Sequence, residues 1–171
     1  MAPVKRVLLG LGLMLACAGP ACAQTVSIMA GGRIDFPNVT LNGFPQVVTA
    51  SGGPSYRIRF QNWAPATAPG FHVMLQSSDF TAGAGTIAAS RMSFTATGGT
   101  ITPMGGSPPG PTETGNSGTL DVPLTVLTNP PGIEGRWDYQ TLPSNFLLDV
   151  PVEAYADRYS ATVTATLFTG P

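Results

Sequence analysis

From Gln24 onward, apolar residues recur at every second position and nowhere at helical spacing. Tyr56, Ile58 and Phe60 alternate with Arg57 and Arg59, and Phe71, Val73 and Leu75 alternate with His72, Met74 and Gln76. Leu120, Val122, Leu124 and Val126 form a third row. Tyr159, Ala161, Val163, Ala165 and Leu167 form a fourth, with only Ser and Thr between them. Successive side chains of a strand point to opposite faces, so each row predicts a strand with one face on a core and one toward water. Turn formers separate the rows: Gly52-Gly53-Pro54, Gly98-Gly99 and Asn129-Pro130-Pro131-Gly132 among them. Short strands punctuated in this way predict an all-β chain, a two-sheet β-sandwich of roughly eight to ten mostly antiparallel strands. The fourth row is expected to be a central structural element and not a frayed tail. Residues 105–118, GGSPPGPTETGNSG, offer no apolar side chain beyond proline and predict a mobile surface loop.

Composition agrees with many turns and few charges: 21 Gly, 17 Pro and only 10% charged residues. The N-terminus changes the picture. Lys5 and Arg6 precede an apolar run over residues 7–16, and Ala21-Cys22-Ala23 precedes Gln24. That order of charge, apolar core and small-residue site predicts a signal peptide over residues 1–23 and a single mature domain over 24–171. Processing as a lipoprotein at Cys17 or Cys22 is the alternative. Either way the apolar run is too short to span a bilayer comfortably, and no second one follows. Cleavage after Ala23 removes both cysteines, so no disulfide framework is expected. The mature chain then carries six arginines, no lysine and nine acids, a net charge of −3, which points away from nucleic acid. Exported, the domain belongs to the cell surface, the envelope or the outside of the cell, the periplasm included.

Candidate chemistry is sparse. His72 is the one histidine, which with no mature cysteine leaves no ordinary zinc site and few nucleophile–base pairs. Ser77 and Asp79 lie too close to it along one strand to converge as a triad. Asp149, Glu153 and Asp157 are spaced four apart and read as surface acids balancing Arg136 and Arg158. No catalytic residue, metal or cofactor is therefore expected. Trp63, Trp137, Tyr139 and Tyr155 lie near turn signals. Trp137 and Tyr139 share one strand face and serve either as a sugar-stacking surface or as packing between sheets.

The order of segments over residues 55–171 resembles the WxL-domain family of bacterial surface proteins. Gly70-Phe71-His72-Val73-Met74-Leu75 followed by Asp79-Phe80 is similar to that family's first motif region. The stretches IAASRMSF (87–94), LDVP (148–151) and YSATVTATL (159–167) resemble its later segments. Phe71 and Ala165 stand where the family carries its two tryptophans, while Val73 and Leu167 keep the aliphatic positions. The resemblance implies an adhesive or structural domain outside the cell, non-catalytic, associated non-covalently with cell-wall polymer or with partner surface proteins. Under that reading Phe71, Val73, Ala165 and Leu167, with Trp63, Trp137 and Tyr139, are the candidate ligand- or wall-binding residues. Two further readings stay open. One is a subunit of a fibre or surface array that self-associates by strand edges, with residues 25–29 as a donor strand. The other is a carbohydrate-binding module.

Overall fold

The computed structural model describes residues 25–52, 56–63, 70–83 and 85–170; the expected signal peptide lies outside the described residues. In chain order the strands are β1 (Thr25–Gly31), β2 (Gln46–Thr49), β3 (Arg57–Trp63), β4 (Phe71–Ser77), β5 (Phe80–Thr81), β6 (Thr86–Ile87) and β7 (Met92–Thr95). They continue with β8 (Thr100–Met104), β9 (Thr112–Glu113), β10 (Ser117–Thr119), β11 (Leu124–Asn129), β12 (Gly135–Gln140), β13 (Phe146–Val150) and β14 (Val163–Thr169). Two single turns of 3-10 helix, Ala89–Arg91 and Pro143–Asn145, lead into β7 and β13.

Three four-stranded antiparallel sheets, ordered β1-β3-β12-β8, β10-β7-β13-β2 and β14-β4-β11-β9, are joined by the small β5-β6 ladder. The all-β, sandwich-like architecture is as expected. Its strands are more numerous and shorter, because glycine and proline break the ladders into pieces as brief as two residues. The first and third sheets face each other across an aromatic cluster: Phe60 lies 5.5 Å from Phe71 and 5.9 Å from Trp137, ring centre to ring centre. The second sheet joins this core through Tyr56 and Phe146, 6.4 Å apart edge to face, while the Thr141 amide, which donates to the Tyr56 carbonyl, extends the β3–β12 ladder of the first sheet. Phe94 packs on Phe146 at 4.6 Å.

Local alternation is obeyed closely where it is strict. Along β3, Ile58 and Phe60 are fully buried while Arg57 and Arg59 reach solvent; along β4, Phe71, Val73, Leu75 and Ser77 are buried in phase. Three elements depart from their sequence pattern. The row beginning at Leu120 does not form one strand: Leu120 is buried, Val122 is 59% exposed in a turn, and a bulge between Thr125 and Leu127 puts both Val126 and Leu127 inside. A bulge adds a residue to one strand and so resets the two-residue phase. The fourth row begins its strand only at Val163; β14 lies at the edge of the third sheet and is paired with β4 over its whole length, from Val163↔Ser77 to Thr169↔Phe71. Residues 105–118 are not a bare loop. They contain β9 and the start of β10, and Pro111 is buried.

Candidate functional site

The residues expected to bind ligand are mostly core. Val73, Trp137 and Tyr139 are 0% exposed and present no surface to a polymer; Phe71 is 2% exposed and borders the cleft described below. Ala165 and Leu167 are half-buried against the same core on β14. Trp63 ends β3 opposite Thr25, and its side chain lies outside the described residues. The correction has one physical cause. A sandwich needs large side chains between its sheets, and both aromatic residues of β12 lie on the inward phase of that strand.

Their polar ends are satisfied by the stretch that sequence alone reads as a loop. Trp137 Nε1 donates to the Pro108 carbonyl at 2.9 Å, and the Arg136 amide donates to the Ser107 hydroxyl at 2.8 Å. The Tyr139 hydroxyl donates to Glu113 Oε1 at 2.8 Å, and the Gly99 amide donates to the same oxygen at 2.9 Å. Burial first, then the hydrogen bond and charge of Glu113, push the Tyr139 phenol well above its ordinary range. Burial likewise pushes Tyr56 up to about 12.

Residues considered for catalysis are not brought together. His72 and Ser77 sit at opposite ends of β4, roughly 17 Å apart at about 3.3 Å per residue. The Ser77 hydroxyl is used on the Ser78 carbonyl, and Asp79 accepts from the Ala89 amide. Asp149 pairs with Arg91 rather than with Arg136 or Arg158, and Asp157 accepts from the neighbouring Arg158 amide. Among the described residues no group of three or more His, Cys, Asp or Glu side chains is placed to hold a metal ion.

Two outward-facing arrays remain. The first is the outer face of β3 and β12. The register sets Arg136 beside Gln61, Asp138 beside Arg59 and Gln140 beside Arg57, with Met29 of β1 and Thr102 of β8 flanking. Arg57 and Arg59 thus stand about 6.6 Å apart along β3, and Arg136 lies diagonal to Arg59 on the adjacent strand at roughly 7–8 Å. Asp138 is the one acid among the described side chains of this face, held 3.8 Å from both Arg57 and Arg59. Arg136 has no ion-pair partner among the described residues, and Nε of both Arg59 and Arg136 lacks an acceptor.

The second is a shallow cleft of about 390 Å³ at one end of the β14-β4-β11-β9 sheet, lined by His72, Thr112, Thr128 and Asn129 and rimmed by Pro130 and Pro131. Its walls are close-packed. A Cβ on Gly70 would lie 2.2 Å from the Asn129 carbonyl, and one on Gly110 would lie 2.8 Å from both Asn129 Oδ1 and the Trp137 ring, so only glycine fits at either place. Asn129 is 3% exposed; its amide nitrogen donates to the Pro130 and Ile133 carbonyls, and Oδ1 has no donor.

Sequence reasoning overlooked both arrays, since each assembles from strands far apart in the chain. The alternation of Arg57 and Arg59 was the one local signal. Compared with known proteins, the chain matches no family model, no curated protein and no solved structure, so a functional reading rests on these surfaces themselves.

Proposed function

We propose that the mature domain is an exported, non-catalytic binding module of the bacterial envelope, which holds an anionic wall or surface polymer across the outer face of β3 and β12. The observation that carries this reading is the grouping of Arg57, Arg59 and Arg136 with a single acid, Asp138, on that face. The mature chain as a whole is acidic, so three of its six arginines on one sheet face is a local excess against the overall charge. Guanidinium groups suit phosphate and carboxylate because their donors form a planar fork. A sheet face is flat and holds its side chains at regular spacing, which fits a chain of repeating charges. The export signal and the WxL-like order of segments support an envelope setting.

The test is binding of the mature chain to a purified polyol-phosphate polymer at rising salt. Binding should weaken steeply with ionic strength, and the double variant Arg59→Gln, Arg136→Gln should lose about tenfold or more, with unchanged thermal unfolding. Equal retention by the variant, or no retention at low salt, overturns the reading.

Self-association is favoured by one separate observation. β1, the suggested donor strand, is paired with β3 along its whole length, but the outer edge of β2 is unpaired, with Phe44 71% and Val47 69% exposed beside it. If copies join there, Val47→Lys shifts the protein to monomer on sizing chromatography; a wild-type chain that is monomeric at high concentration rules the edge out.

A further inference from the structure

The cleft carries an inference independent of the arginine face. Four residues from four strands stand in one row on the outer side of the third sheet: Phe168 opposite His72, His72 opposite Thr128, and Thr128 opposite Thr112. The Phe168 and His72 rings stack nearly parallel, at 15° and 5.5 Å between centres. Phe168 is absent from the cleft lining while His72 is part of it, so the phenyl ring stands behind the imidazole and backs it. That support fixes one wall. Thr112, Thr128, Pro130 and Pro131 are among the cleft's other lining residues.

The protein leaves the polar groups of this row unused. Among the described residues, the hydroxyls of Thr112 and Thr128 and the ring nitrogens of His72 have no hydrogen-bond partner, and the one contact of His72 is its stacking on Phe168. Asn129 Oδ1, buried in the cleft wall, also lacks one. No Asp, Glu, Lys or Arg side chain lines the cleft. Flat ring and proline surfaces beside hydroxyls that both donate and accept suit a molecule with apolar C–H faces and hydroxyl edges.

We propose that this cleft is a saccharide-binding site that takes a short, uncharged segment of a glycan, with one sugar ring against the His72 imidazole and its hydroxyls on Thr128 and Thr112. From His72 to Thr112 the row crosses two interstrand gaps, about 10 Å, enough for a disaccharide. No bond is made or broken.

The single histidine makes the test direct, because the ring C–H resonances of His72 report the cleft without assignment ambiguity. The mature chain is titrated into the millimolar range with β1,4-linked N-acetylglucosamine tetramer, β1,4-linked glucose tetramer and α1,4-linked glucose tetramer. At least one should move the His72 resonances saturably and without dependence on salt, and Arg59→Gln should leave that movement unchanged, which separates this site from the arginine face. Thr128→Val and Thr112→Val should each weaken it by roughly fivefold or more, with the near-ultraviolet dichroism of the aromatic core unaltered. Phe168→Leu, which keeps an apolar residue on β14 but removes the backing ring, should weaken it as well. Unmoved His72 resonances with all three sugars overturn the inference, as does a titration that Thr128→Val and Phe168→Leu leave unchanged.

Discussion

Glu113 is the acid on which two groups depend, the buried Tyr139 hydroxyl and the half-buried Gly99 amide. Replacing Tyr139 by Phe removes one donor from a half-buried carboxylate and should cost about 1–2 kcal/mol in urea unfolding. Trp137→Ala acts differently: it empties a fully buried indole site between Phe60 and Phe71 and should cost about 3–5 kcal/mol. Any loss of sugar or polymer binding by that variant would therefore report a damaged core, and the surface variants above are the ones to use. Tyr56 gives a pH prediction. Its phenol, which donates to the Val163 carbonyl, titrates at about 12 in the fold against 10.0 in an unperturbed chain. Above pH 10 the unfolded chain releases this proton first, so the contribution is whole below about pH 10 and is lost as pH rises toward 12. Tyr139, shifted in the same direction, adds to the decline. Unfolding free energy should fall over that window, and Tyr56→Phe should flatten the fall; an equal slope in the variant would show that burial of this phenol is not the cause.

Two segments exchange roles when pairing is considered. Deleting residues 107–113 would remove the acceptors of Trp137, Arg136 and Tyr139 together with the β9 ladder on β11, so it should leave the protein unstable or aggregated. Insertion is tolerable at the Gly105-Gly106 turn, where both residues have positive φ and no neighbouring atom crowds them. The end of the chain behaves as a cover. Removing residues 163–171 strips β4 of a seven-residue partner and leaves Val73 and Leu75 beside an open edge. The truncated chain should be protease-sensitive or insoluble. A soluble product with cooperative unfolding would show that β14 is dispensable to the third sheet.

At the level of the whole domain, every large sheet joins segments distant in sequence: β3 with β12, β4 with β14, β2 with β13. Loop closure must precede such contacts, so refolding should take milliseconds to seconds, not microseconds, in stopped-flow fluorescence of the two tryptophans. With both cysteines ahead of Gln24, reductant and chelator should leave the melting temperature of residues 24–171 unchanged; a shift of several degrees with chelator would reveal a metal site. Strand identity and buried face were legible wherever alternation is strict, as in Ile58-Phe60 and Phe71-Val73-Leu75, because the two-residue period is a property of the strand itself. The same reading failed at Val122, which lies in a turn, at Leu127, where a bulge shifts the phase, and at residues 105–118, where hydrogen bonds to Trp137 and Tyr139 rather than apolar residues anchor the backbone. It placed Trp137 and Tyr139 on one strand face but could not say which, since either face of a strand can meet another sheet. Register across strands belongs to partners remote in the chain, and it alone sets Arg136 diagonal to Arg59 and lines up Phe168, His72, Thr128 and Thr112.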